Sequence, residues 1–342
     1  MGLDPWAICA ADFPDSGSVR EQLRFLLGYA ILAPSGHNTQ PWRFAFDGDV
    51  LELYADRTRA LAVVDPNDRE LTISCGAALE TLLVAARHVG RRPTVELAPD
   101  GAGDLLARIS ITHGDPPHHG EAELFGAVVE RHTNRRAFED RELPSGLTDR
   151  LVADADAAGV WLHLVGDEER APIAALVSEG DRAQMADKPF RRELAAWVHP
   201  NRSSSRDGMR GYGFGIGDLM SYGGPLVIRS FDQGKGQAAK DHELAVGSPL
   251  LAVLGTATDD QTAWLRTGRG LQRVLLRATA HGVCSSYLNQ PIEVAALRPR
   301  LAAAIGRRGD APQLLIRFGF GAQAKAQPRR PVAEIVADDE HL

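Results

Sequence analysis

The chain has 342 residues, of which 38 are Lys or Arg and 45 are Asp or Glu, giving a formal net charge of −7. The basic residues are scattered rather than gathered into a stripe, which argues against nucleic acid as a partner, and no run approaches the roughly 20 apolar residues of a membrane span. Cys9, Cys75 and Cys284 are an odd, widely separated set expected to be reduced thiols, and Asp4, Asp12 and Asp15 stand where a signal peptide would be basic, so a cytoplasmic location is expected.

Ser18 and Glu21 have the spacing of a capping box, and Leu23, Leu26, Leu27, Ala30 and Ile31 fall on one helical face. The first element is therefore an amphipathic helix, which Pro34 ends. The loop that follows, Ala33-Pro34-Ser35-Gly36-His37-Asn38-Thr39-Gln40-Pro41-Trp42, is polar yet set between apolar elements. Its amides either satisfy their own backbone or meet a polar ligand, because unpaired buried donors and acceptors are costly. A hairpin over 42–46 and 50–55 turns at Asp47-Gly48-Asp49, a long helix runs to Gly90, and strands follow near Val95 and over 105–112. The Pro-rich stretch from His113 to Gly120 contains His118 and His119; it reads as an exposed connector in preference to a metal site.

A short helical run (Leu124, Val128, Val129) leads into Arg131-His132-Thr133-Asn134-Arg135-Arg136-Ala137-Phe138. A guanidinium is a planar donor fork matched to phosphate oxygens, and a Thr hydroxyl adds a neutral donor between charges, so this cluster is either a solvated surface or an anion site. The pattern beyond it gives a helix over 147–158, a strand over 160–165 and paired helices to about His199. A Ser- and Gly-rich connection over 200–224 follows, then strands at 226–229 and 250–254, a long helix, another helix from Val294 and a last strand over 314–318. Such a mixture predicts an α+β fold with mixed or antiparallel sheets covered by helices. The glycines from Gly208 to Gly217 lack the Gly-x-Gly-x-x-Gly spacing and a preceding strand, so they supply freedom for a hinged cover rather than a dinucleotide fingerprint.

The length allows two domains of roughly 150 residues each. Residues 76–90 and 268–282 match without a gap, with Gly, Leu, Leu, Ala and Gly at equal positions, which supports that division.

The 33–42 loop is similar to the first-helix loop of the FMN-dependent nitroreductase superfamily. Arg131 to Arg135 resembles that superfamily's basic, hydroxylic, basic phosphate anchor, and Pro328-Arg329-Arg330-Pro331-Val332-Ala333-Glu334 resembles its closing signature. The resemblance implies that Pro34, Ser35, Gly36, Asn38 and Gln40 meet the flavin ring. It further implies that Arg131, Thr133, Arg135 and Arg329 hold the FMN phosphate, with His132 and Asn134 aiding the anchor or shaping its backbone. Leu288 and Asn289 would lie near the flavin N5 edge, although Asn289 stands where many nitroreductases carry Glu. Gln327 occupies a position where the superfamily often has Lys, so the phosphate has fewer charges unless Lys325 substitutes. No side-chain acid or nucleophile is implied, because the flavin carries the chemistry.

Nitroreductase subunits are shorter and pair as homodimers with FMN at the interface. By that resemblance, residues 1–115 and 116–342 are two fused halves of a single-chain pseudo-dimer, a monomer with one flavin site. In the second half Ala157-Ala158-Gly159-Val160 runs straight into Trp161, so the ring loop is missing there; in the first half Asp15-Ser16-Gly17-Ser18-Val19-Arg20 stands in place of the anchor. The fusion and the Gly-rich insert over 200–224 resemble the Acg-type flavoproteins, in which an insert folds over the flavin. Two functions follow from the resemblance: NAD(P)H-linked reduction of a small organic substrate, or sequestration of FMN beneath a lid with little turnover.

Overall fold

The structure is a computed structural model that describes residues 4–116, 119–230 and 234–337; His118 lies outside them. The capping box forms: Ser18 Oγ accepts from the Glu21 backbone N–H, and the Glu21 carboxylate accepts from Ser18 N–H at 2.8 Å, opening α1 (Val19–Ala30). After the polar loop, β1 (Trp42–Asp47) and β2 (Val50–Ala55) pair as the expected hairpin, and α2 (Arg69–His88) crosses behind them. Next come β3 (Arg91–Leu97) and β4 (Leu105–His113), and the first-half strands join in one antiparallel sheet of order β1-β2-β4-β3.

The helix α3 (His119–Gly126) leads through the basic segment to α4 (Leu147–Asp156) and β5 (Trp161–Leu164). A helical layer follows: α5 (Asp167–Ala186), α6 (Lys188–Ala196), a two-residue parallel pair β6 (Val198–His199) and β7 (Met209–Arg210), then α7 (Asp218–Ser221), α8 (Gly224–Ser230) and α9 (Gly234–Val246). The expected strand at 226–229 is instead part of α8: the apolar run Leu226-Val227-Ile228 looks strand-like, but the helix that contains it packs on α6. The chain then forms β8 (Leu250–Thr256), α10 (Gln261–Ala280), β9 (Cys284–Tyr287), α11 (Gln290–Glu293), α12 (Arg298–Ala304), β10 (Ala311–Gly319) and α13 (Val332–Ile335). A second antiparallel sheet has the order β5-β8-β10-β9. The protein is thus α+β, with two tandem halves that each supply a four-stranded antiparallel sheet.

The repeated helices α2 and α10 pack against each other at the repeated glycines. A Cβ on Gly76 would come within 2.3 Å of the Leu265 carbonyl oxygen, and one on Gly268 within 2.0 Å of the Ile73 carbonyl oxygen. Ile73 and Leu265 hold equivalent positions in the repeat, so the two contacts are each other's image, as at an isologous interface. Beside the crossing, buried Glu80 on α2 accepts from Arg269 and Arg273 of α10 at 2.8 and 3.1 Å, and these cations hold its carboxyl below the usual range against the desolvation that would raise it. The chain end closes the first half: Val336 bridges to Phe44 of β1, and the Ala337 N–H donates to the Phe44 carbonyl at 2.8 Å.

Candidate functional site

The polar loop is built on strained backbone. Gly36 to Asn38 form a single 3-10 turn, and His37, Asn38 and Gln40 all have positive φ (49°, 57° and 53°), a region that L side chains rarely adopt. Local bonds hold it there: Gln40 N–H donates to Ser35 Oγ at 2.9 Å, and Gly36 N–H to Ser74 Oγ on α2 at 3.3 Å. Asn38 joins three chain segments, since its amide nitrogen donates to the carbonyls of Gly208 and Pro328 while its Oδ1 accepts from Arg329 at 2.9 Å. Gln40 is fully buried and does not reach the cavity described next. It donates to the Arg206 carbonyl and accepts from the Arg330 N–H at 2.8 Å, so it acts on the protein's own backbone rather than being open to a ligand.

Beside the loop opens a cavity of about 800 Å³, lined by Pro34, Ser35, Gly36, His37 and Asn38 together with Arg131, His132, Thr133, Arg135, Leu288, Asn289 and Arg329. The basic segment is brought there because Thr133 bridges to Ser285 of β9 and Asn134 N–H donates to the Ser285 carbonyl. Asn134 shapes this turn, donating to the Ala322 carbonyl and accepting from Arg136 N–H. Leu288 and Asn289 arrive at the end of β9, where Asn289 Oδ1 accepts from Leu315 N–H at 3.0 Å.

The arginines are the chemical centre of the cavity. Arg131 is 2% exposed, donates only from Nη2 to the Leu32 carbonyl at 3.2 Å, and leaves Nε and Nη1 buried without partners. Arg329 reaches Asn38 and the Leu32 and Ala33 carbonyls, stacks over Trp6 at 4.9 Å and leaves Nε unpartnered. Arg135 contacts Met209 sulfur and the Phe214 ring. None of the three pairs with a carboxylate among the described residues, and burial pushes all three guanidinium pKa values down, that of Arg329 to about 9 with Arg131 adding repulsion. Burial, then neighbouring guanidinium groups, also lowers His132 to about 3 and His37 to about 4, so both rings are neutral at pH 7. A buried cation without a counter-charge is costly, and an anion bearing several oxygens would supply the missing acceptors. The donor set therefore fits a phosphate.

The opposite wall belongs to the helical layer. Met185, Phe190, Leu194 and Val198 make it apolar, while Gln290 Nε2 donates to both Asp181 and Asp241 at 3.0 and 2.9 Å. Burial raises Asp181 to about 7, helped by Asp241, and raises Glu293 to about 8, helped by Glu70. Met209, Phe214 and Ile216 carry the Gly-rich connection over the cavity. That connection is pinned at Asp207 and Gly208: Gly208 N–H donates to the Asn38 carbonyl, and Arg59 pairs with Asp207. Lys325 lies over the Tyr212 ring, in a neighbouring cleft outside this cavity, while Gln327 lines it.

Sequence reasoning missed Arg317, Glu70, Tyr287 and the helical-layer acids. Arg317 was findable, as a charge inside the apolar run of β10: it is 1% exposed, lines the cavity, donates to the Asn134 and Arg136 carbonyls and so supports the basic turn from below. Glu70 and the acids come together only through tertiary packing and have no local sequence signal.

No protein-family model matches the chain. It is 33% identical over 339 residues to a Mycobacterium tuberculosis protein, Rv3131, named as an NAD(P)H nitroreductase, covering 96% of this chain and 94% of that one. A second M. tuberculosis protein with a nitroreductase name, acg, is 27% identical over 337 residues, covering 94% and 97%. Among solved structures, the FMN-dependent nitroreductase NfnB of Mycobacterium smegmatis, in complex with NADPH, aligns at 17% identity and a TM-score of 0.42, covering 64% of this chain and 99% of that one.

Proposed function

We propose, from the premise that this chain belongs to the nitroreductase family in its fused, Acg-like group, that it binds one FMN and reduces a small organic substrate with electrons from NAD(P)H. The observation that carries this reading is the pair of buried arginines with unpartnered donors, Arg131 and Arg329, with half-buried Arg135 close by and a strained polar loop beside them. In this reading Arg131, Thr133, Arg135 and Arg329 hold the phosphate. The backbone of Pro34 to Gly36, with Leu288 and Asn289, borders the ring. Asn38 positions Arg329, and Gln40 positions the loop. When bound, the flavin supplies two-electron chemistry at N5; the chain's own residues bind it, orient it and limit access of water and substrate.

A second reading, storage of FMN with little turnover, is favoured by one observation: the covering connection is bonded to the ring loop at Asn38 and Gln40 and to Arg59 beyond β2 rather than hanging free. The test of the first reading has two parts. The purified chain is expected to carry one FMN per polypeptide by absorbance and phosphate content, and two equivalent flavins would refute the single-site reading. Anaerobic addition of NADH or NADPH is expected to bleach the flavin within seconds to minutes; flavin that stays oxidised through a long incubation selects storage.

A further inference from the structure

Seven large hydrophobic residues are exposed among the described residues, and five of them fall within nine positions: Leu219 (88%), Met220 (73%), Tyr222 (60%), Leu226 (67%) and Val227 (38%). Such a concentration is unusual for a surface that only meets water. Leu219, Met220 and Val227 also line the 800 Å³ cavity, where they continue into the apolar wall of Met185, Phe190 and Leu194. A continuous apolar path therefore runs from the cavity interior, out between α7 and α8, to the surface. The arginines lie on the ring-loop and basic-turn side of the same cavity, whereas Asp181 and Asp241 share the helical-layer wall with the apolar residues.

We infer that this path is the binding subsite for the apolar tail of an amphiphilic electron acceptor. The acceptor has an uncharged, reducible head that enters the cavity and an alkyl or isoprenoid tail that lies along Leu219, Met220, Tyr222 and Leu226. A tailed quinone is the chemical class that fits, with the overall balance quinone + NAD(P)H + H⁺ → hydroquinone + NAD(P)⁺. The inference rests on the proposed flavin site, since the head is reduced there. Continuity with the cavity favours a small molecule over a protein or a bilayer, because neither would need the patch to extend inward. The short α7 and α8 segments, joined through Gly223 and Gly224, can adjust to different tails without disturbing either sheet.

The test uses the FMN-loaded chain without an electron donor. Dissociation constants are read from the flavin spectrum for one benzoquinone head carrying no tail, a butyl tail or a decyl tail. A fully buried methylene contributes about fourfold in affinity and a half-buried one about twofold, so a decyl tail half-buried along its length should bind roughly 10³-fold tighter than the tail-less compound. In the double variant Tyr222→Ser/Leu226→Ser, whose two positions lie outside the cavity lining, that ratio should fall at least roughly tenfold, as loss of the apolar contacts predicts, while affinity for the tail-less quinone stays unchanged. Equal affinities across the series in the parent protein, or a ratio that the double variant leaves intact, would overturn the assignment. So would flotation of the chain with phosphatidylcholine–phosphatidylglycerol vesicles in a Leu226-dependent way without any tail-length effect, which would make the patch a membrane surface. If the chain binds no flavin at all, the flavin site is wrong, and calorimetric titration of the flavin-free chain with the same series judges the tail subsite separately.

Discussion

Replacing Arg131 with Met should stabilise the empty protein and cripple its flavin affinity, two effects of opposite sign from one substitution. Arg131 is buried, makes one hydrogen bond at 3.2 Å and leaves Nε and Nη1 without acceptors. Each of the two buried unsatisfied donors costs about 1–3 kcal/mol, and the single bond lost contributes about 1 kcal/mol, so the flavin-free chain should gain roughly 1–5 kcal/mol. For a chain of this size that is an increase of a few °C, at about 1–2 °C per kcal/mol. Methionine keeps most of the aliphatic volume, so no large cavity opens. The same two donors, given to a phosphate, are charge-assisted bonds of about 1.5–3 kcal/mol each, so FMN should bind roughly 10²–10⁴-fold more weakly. Differential scanning calorimetry of flavin-free protein and fluorescence titration with FMN measure the two halves independently. A variant that melts lower when empty and binds FMN as before would show that Arg131 serves the fold and that the phosphate lies elsewhere.

At the α2–α10 crossing, Gly268→Ala should destabilise by about 3 kcal/mol or more, because its Cβ would meet a backbone oxygen at 2.0 Å and no side chain can give way, whereas Gly126→Ala, with open space around it, should stay within about 0.5 kcal/mol; urea unfolding compares them. The Glu293 carboxyl is raised to about 8 by burial and Glu70, so across the window from the ordinary Glu range to pH 8 the folded state holds a proton that the unfolded state has released. Stability should therefore fall as pH rises through that window, and Glu293→Gln should flatten the fall, with Asp181, raised to about 7, leaving a residual slope. Equal pH slopes for the two proteins in chemical denaturation would place the Glu293 ionisation outside that window.

Local signals in the sequence were enough for elements that satisfy themselves locally. The Ser18/Glu21 box, the Asp47-Gly48-Asp49 hairpin and the glycine-stopped helices need only neighbours a few residues away, and each forms as expected. The loop and the basic segment were legible as motifs, but what their side chains do was not. Asn38 and Gln40 looked equivalent on paper, yet the positive φ at both positions turns Gln40 toward Arg206 and Arg330 and leaves Asn38 at the cavity rim. The 226–229 segment failed for the opposite reason: its apolar run has no helical or strand period, so only its docking on α6 decides the conformation. The acids of the helical layer converge from α5, α9 and α11 and could not be grouped without the fold.

On the proposed single-site reading, the pseudo-symmetric helix crossing accounts for one site in place of two. An exchange of halves about Gly76 and Gly268 would place a second ring loop after α4 and a second anchor before α1. After α4, however, the chain turns at once into β5, and Ala158 and Val160 press on Gly270, where an added Cβ would meet Val160 at 2.5 Å and Ala158 at 3.3 Å. The equivalent position in α2 is Ala78, which carries a Cβ and is fully buried. Before α1, the would-be anchor offers Asp15, whose carboxylate is bonded to Arg91 at 2.5 Å. A carboxylate there repels a phosphate, and the arginine it neutralises is not free to bind one. One image of the site is thus closed by packing at one end and by charge at the other. On the same reading fusion makes that loss tolerable: two identical chains would have to keep both motifs in each copy, whereas a single chain needs the loop once and the anchor once, which leaves the remaining sequence free to form the helical layer that walls the cavity.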